Sequence, residues 1–162
     1  MASSVPTLRF LFSHPAHFVA LGFGSGLAPV APGTFGTLVA IPLAAALRNR
    51  FDDLGYAVAV VLFFVLGIGV SAVTARDLGV ADHGAIVWDE VVAFLVVLFF
   101  VGDSLPWIAF AFLLFRLFDI VKPPPIRAVD AALKSGFGVM VDDLLAAGYT
   151  LLVLALARRV LG

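Results

Sequence analysis

The sequence predicts an all-α fold, a compact membrane bundle of about five hydrophobic helices with a broken or re-entrant segment near the N-terminus. Three observations carry this expectation. Of 162 residues, 62% are hydrophobic and 13% charged, where an ordinary soluble domain carries about 25% charged residues. Tyr56 to Ala75 is an uninterrupted apolar run of the roughly 20 residues that a bilayer core requires. The remaining apolar runs are separated by short pieces rich in glycine, proline and charge, the punctuation of helices that stop and turn back. The length suits one domain, residues 1–162.

In chain order, residues 1–18 hold one arginine, Arg9, and apolar pieces broken by Pro6 and by His14-Pro15. They lack the charged head and unbroken core of a cleavable leader and are expected to be retained. Val19 to Leu27 is apolar but carries Gly22, Gly24 and Gly26, and Pro29 and Pro32 interrupt any helix before Gly33-Thr34-Phe35-Gly36-Thr37. Irregular backbone at membrane depth needs protein or water around it, so this piece should line a site. There its amides, with Ser25 and Thr34, offer donors to an anion. The same residues serve equally as a G-x-x-x-G helix contact, Gly22 to Gly26, and as an N-cap, Thr34 or Thr37, of a helix over 35–47.

Arg48, Arg50, Asp52 and Asp53 read as a polar loop before the helix over 56–75. Arg76 and Asp77 end that helix, and a linker through Asp82, His83 and Gly84 leads to a helix over 86–101 with Asp89 and Glu90 at its mouth. Gly102, Asp103 and Ser104 turn the chain into a helix over 105–121, carrying Arg116 and Asp119 near its end. Pro123, Pro124 and Pro125 stop it at Lys122. A polar loop with Arg127, Asp130 and Lys134 precedes the last helix, 139–161, with Asp142 and Asp143 in its first turns. Arg158 and Arg159 close it, where cations suit the helix dipole.

Alternate crossings by these helices gather the unusual residues on one face: the glycine segment, Asp82, His83, Asp89, Glu90, Arg116, Asp119, Lys122, Arg127, Asp142 and Asp143. Lysine and arginine are nearly balanced between the faces, so a cytoplasmic position for this one is favoured by a small margin. Net charge of −1 offers no basic stripe for nucleic acid, which is not an expected partner. The absence of cysteine excludes disulfides, thiolate metal sites and a cysteine nucleophile.

A charge facing hydrocarbon costs roughly 2.5 kcal/mol or more, so paired acids at a helix mouth imply a cavity or a cation. Asp89 with Glu90, and Asp142 with Asp143, supply carboxylates from two helices. Adjacent helical residues diverge by about 100°, so at least one of each pair is expected to bind metal. Oxygen ligands without cysteine or clustered histidine favour Mg²⁺ or Mn²⁺, and Mg²⁺ commonly shares carboxylates with a substrate phosphate. Arg116, Lys122 and Arg127 are the complementary donors for phosphate oxygens, or else neutralise the acids. Arg116 and Asp119 also have the spacing of a plain ion pair. His83 can transfer a proton, or simply hydrogen-bond within its loop. His14, His17 and Trp107 are expected at the membrane interface, and Trp88 against the site wall or at headgroup depth.

Four blocks, GFGSGLAPVAPGTFGTLVAIP, DHGAIVWDEVVAF, FRLFDIVKPPPIRAVD and GFGVMVDDLLAA, together resemble the bacterial phosphatidylglycerophosphatase A family. The resemblance implies a Mg²⁺-dependent enzyme of the inner (cytoplasmic) membrane that converts phosphatidylglycerophosphate to phosphatidylglycerol and inorganic phosphate. It also implies Asp89, Glu90, Asp142 and Asp143 as metal-site acids and Lys122 as a phosphate ligand. A lipid phosphomonoester, with tails in the bilayer and phosphate at the interface, suits an acidic face on an apolar bundle. Attack by an activated water is the expected chemistry; a phosphoaspartate route is the alternative, although no D-x-D pair is present. Two other classes stay open at this point, a cation- or proton-coupled transporter and a noncatalytic membrane subunit. The residues specify no oligomeric state.

Overall fold

The computed structural model describes residues 5–81, 83–133 and 135–161; Asp82 and Lys134, singled out above, lie outside the described residues. Every regular element described is helical. Two short helices, α1 (Leu8–Leu11) and α2 (Pro15–Ala20), and a 3-10 segment, Gly22–Leu27, form the broken N-terminal piece. Its kink is explicit in the backbone, with Phe23 at φ 59° and Gly24 at φ 102°. Then follow α3 (Pro32–Arg50), α4 (Asp53–Leu78), α5 (Trp88–Val101), α6 (Leu105–Val121), α7 (Ile126–Ala132) and α8 (Gly136–Leu161).

Several boundaries differ from the sequence reading for local reasons. Pro32 does not interrupt α3 but opens it, since the first helical position has no use for the missing N–H. Neither threonine caps that helix: Ala31 is the N-cap residue, and the Thr37 hydroxyl donates to the Gly33 carbonyl at 2.8 Å. Asp52 is a cap rather than a loop residue, accepting from the Gly55 amide at 2.8 Å. The stretch read as a polar loop around Arg127 and Asp130 contains α7. The stop of α6 falls as expected, with Lys122 in the left-handed region at φ 47° before three prolines.

Helix α5 is the centre of the molecule. Val91, Val92, Ala93, Phe94, Leu95 and Val97 are all fully buried, and α3, α4, α6 and α8 pack around it. A helix apolar on every side belongs inside a protein or a membrane, and here four neighbours enclose it. The outer helices turn apolar side chains outward instead, among them Val61, Leu62 and Val65 of α4, Leu113 and Leu117 of α6, and Leu152 and Leu156 of α8. Among the described residues, two helices are long and apolar enough to cross a membrane, over 53–78 and 136–160. Of the five hydrophobic helices expected, α3, α5 and α6 fall outside that pair; α5 has only 14 residues, about 21 Å at 1.5 Å per residue against a core of about 30 Å.

The two ends of the bundle differ chemically. At one end, cations close the C-terminus of α5: Arg158 donates to the Val101 carbonyl at 2.7 Å and stacks over Trp107 at 5.0 Å, while Arg48 reaches the Leu98 carbonyl and pairs with Asp103 at 2.6 Å. At the other end lie the N-terminus of α5, the C-terminus of α6 and the early turns of α8. His17 is buried near this end, paired with Asp77 at 3.0 Å and stacked on Phe10 at 4.0 Å, and so ties α2 to α4. Trp88 is buried as well, donating to the Phe63 carbonyl at 3.0 Å.

Candidate metal and phosphate site

Asp89 and Glu90 occupy the first turn of α5, where no side chain caps the helix and its positive end favours acids. Asp143 faces them from α8. One carboxylate oxygen from each of the three lies within 4.8 Å of the others. Asp89 and Asp143 are 8% and 3% exposed, and the Glu90 side chain 12%. Asp89 Oδ1, Glu90 Oε2 and Asp143 Oδ2 are buried without a hydrogen-bond partner. Burying a charged oxygen unsatisfied is costly, so three buried carboxylates this close together fit a shared cation. Three hard oxygen donors, with no sulfur or imidazole among them, fit Mg²⁺ or Mn²⁺.

Cations stand beside this trio. Arg116 Nη1 lies 3.6 Å from Glu90 Oε1 and 2.5 Å from Asp119 Oδ2, bridging α5 to its own helix. Its Nε is buried and makes no hydrogen bond. Gly33 belongs to this contact: a Cβ there would collide with Glu90 Oε1 and come within 3.0 Å of the Arg116 guanidinium. The glycine-rich stretch thus enters the site by letting α3 press its backbone against the Glu90–Arg116 pair.

Lys122 lies at the exit of α6, between Asp142 at 2.7 Å and Asp130 at 3.2 Å. Partial burial works against its charge, but the hydrogen bond and charge of Asp142, with Asp130 adding to them, outweigh that and raise its pKa well above the ordinary 10.5. The adjacent acids of α8 therefore separate as helical geometry demands: Asp143 joins Asp89 and Glu90, and Asp142 holds Lys122.

Other residues singled out in the sequence lie elsewhere. The Ser25 hydroxyl is committed to the Gly22 carbonyl at 2.9 Å, and the Gly24 and Gly26 amides both donate to the Leu21 carbonyl. Thr34 is half-buried in the first turn of α3, one residue beyond Gly33. His83 Nδ1 accepts from the Ala85 amide at 3.1 Å, which fixes the turn into α5. Arg127 sits exposed on α7. Asp130 was not singled out for the site; Asp119 was placed on its face and paired with Arg116 by spacing, and Gly33 was read as part of an anion cradle.

The family described as Phosphatidylglycerophosphatase A matches residues 18–158, a span that contains the three clustered acids, both cations and Gly33. The chain belongs to the phosphatidylglycerophosphatase A family. It is 44% identical over 154 residues to a Haemophilus influenzae protein named phosphatidylglycerophosphatase A, covering 94% of each chain. It is 41% identical over 139 residues to the Escherichia coli protein of the same name, covering 85% of this chain and 80% of the relative. A Bacteroides thetaiotaomicron relative named provisionally as a phosphatidylinositol-3-phosphatase is 40% identical over 151 residues, covering 89% of this chain and 94% of its own. No solved structure matches the chain.

Proposed function

We propose that this protein hydrolyses the terminal phosphomonoester of phosphatidylglycerophosphate, releasing inorganic phosphate and leaving phosphatidylglycerol in the bilayer. The observation that carries this reading is the clustering of the buried carboxylates of Asp89, Glu90 and Asp143, each with an oxygen lacking a hydrogen-bond partner, with Arg116 against Glu90 and Lys122 held by Asp142, the neighbour of Asp143. A carboxylate cluster next to two cations is matched to a phosphate that arrives with a divalent ion. Its position at one end of the bundle supports an interfacial enzyme over a transporter, whose acids would line a path through the molecule.

In this reading Asp89, Glu90 and Asp143 hold Mg²⁺ or Mn²⁺. Such an ion, when bound, supplies Lewis-acid polarisation of a phosphoryl oxygen and lowers the pKa of a bound water. Arg116 directs its guanidinium at the nonbridging oxygens, kept in place by Asp119. Lys122 offers its ammonium to the same group and is positioned by Asp142 and Asp130. Water forms a bond to phosphorus as the phosphorus–oxygen bond to glycerol breaks, and the leaving oxygen gains a proton. The water-attack route predicts solvent ¹⁸O in the released phosphate and no trapped acyl phosphate.

The apolar outer faces of α4, α6 and α8 support a multi-pass protein of the bacterial inner membrane, with all five of α3, α4, α5, α6 and α8 at membrane depth and the acidic end toward the cytoplasm. In that arrangement α5 need not reach both headgroup layers, because neighbouring helices enclose it. The test is phosphate release from phosphatidylglycerophosphate by the purified protein in detergent, with Mg²⁺, with a chelator, and with Asp143→Asn. Activity that survives both the chelator and the substitution refutes the metal site. An inactive wild type refutes the activity itself.

A further inference from the structure

A shallow apolar groove of about 420 Å³ runs along α8, lined by Pro125, Leu144, Leu145, Gly148, Tyr149 and Leu152. Two of its lining residues, Pro125 and Leu145, each lie three positions along the chain from a residue of the proposed phosphate site, Lys122 and Asp142. Asp142, Leu145, Tyr149 and Leu152 recur at steps of three and four residues and so share one face of α8. At the head of that face Asp142 holds the Lys122 ammonium at 2.7 Å. From Asp142 to Leu152 the face extends about 15 Å at 1.5 Å per residue. The facing wall is the proline loop that follows Lys122, pinned by the Tyr149 hydroxyl, which donates to the Pro124 carbonyl at 2.6 Å.

Gly148 leaves this groove open. It is exposed, and a Cβ added there would meet nothing within 4 Å. A glycine inside a 26-residue helix sacrifices stability relative to alanine. Neither a positive φ nor a close neighbour accounts for this one. Gly69 of α4 is open in the same way, and what sets Gly148 apart is its place in the lining of the groove.

We infer that this groove seats an acyl chain of the lipid substrate while Lys122 and Arg116 engage its phosphate; the inference rests on the phosphatase reading above. The shared face of α8 decides the occupant. A phosphomonoester lipid has an anionic head and an apolar tail joined by a short glycerol unit. The molecule has two cations among acids at one end and, along the face of α8 headed by Asp142, the partner of Lys122, an apolar groove. A chain lying there is held by area burial, which is non-directional and grows with chain length.

The test compares wild type, Gly148→Leu and Gly69→Leu on dipalmitoyl and dihexanoyl phosphatidylglycerophosphate in mixed micelles. Gly69, on α4, is likewise exposed with no neighbour within 4 Å of an added Cβ, so its leucine controls for a bulkier apolar surface. Gly148→Leu should raise KM for the dipalmitoyl lipid about tenfold through lost methylene burial. It should change kcat/KM for the dihexanoyl lipid less than about twofold, and it should not lower Tm, because leucine favours helix. Gly69→Leu should match wild type on both lipids. Equal losses on both lipids, no loss on either, or the same loss in Gly69→Leu overturns the inference. So does a changed oligomeric state by light scattering with KM unmoved, which would assign the groove to a second copy of the chain. A wild type that releases phosphate from neither lipid overturns the phosphatase reading and this inference with it, whereas an active wild type with chain-independent losses overturns the groove alone.

Discussion

Gly33→Ala tests whether α3 shapes the metal site. Gly33 is buried in the first turn of α3, and an added Cβ would lie 3.0 and 3.1 Å from Arg116 Nη2 and Nη1, and closer still to Glu90 Oε1. The Arg116 and Glu90 side chains are only 14% and 12% exposed, so Glu90 must shift. That shift weakens a charge-assisted contact to Arg116 and carries away Oε2, one of the three oxygens proposed to hold the ion. Losing one such interaction costs about 2 kcal/mol, and at 1.4 kcal/mol per tenfold this weakens ion binding about thirtyfold. Mn²⁺ titration followed by electron paramagnetic resonance on the detergent-solubilised protein reads the affinity directly, and the Mg²⁺ activation curve should shift in parallel. Alanine is the better helix former, so an unspecific weakening of α3 does not explain such a loss. Mn²⁺ affinity equal to wild type, with superimposable Mg²⁺ curves, would show that Glu90 takes no part in holding the ion or that the site tolerates the methyl group.

Asp143→Asn should reduce phosphate release by about a hundredfold, as loss of a charged group at a reacting centre does, and should abolish the high-affinity Mn²⁺ signal; Asp142→Asn should retain that signal and raise KM instead. Lys122 has a raised folded-state pKa, so the stability it contributes is complete below its ordinary value of 10.5 and is lost as pH climbs through the higher folded value. The Tm difference between wild type and Lys122→Met should therefore hold constant from neutral pH to 10.5 and shrink above it. His17→Ala removes the Asp77 partner and the Phe10 stacking contact, and limited proteolysis should then cut residues 5–21 faster than in wild type. Tyr149→Phe deletes the bond to the Pro124 carbonyl; thermal unfolding should show a loss of about 1 kcal/mol.

What the sequence by itself determined was local. Run length, proline and glycine punctuation and the placing of acids at helix mouths mark out α4, α5, α6 and α8, because helix formation and termination depend on residues within a turn or two. The same reading singles out Asp89, Glu90, Asp142, Asp143 and Lys122 and, through the alternation of crossings, places them at one end. Only the tertiary structure decided how they divide. Asp142 and Asp143 are neighbours in the chain but point about 100° apart on a helix, and the rotation of α8 against α5, set by packing along the whole interface, turns Asp143 to the acids and Asp142 to Lys122. Gly33 looked like part of an anion cradle, yet it serves as the close-approach point for Glu90 and Arg116, a contact between residues 57 and 83 positions away that no local pattern encodes. The enclosure of α5 is of the same kind: its apolar sequence suits lipid or protein alike, and the four helices packed around it decide for protein.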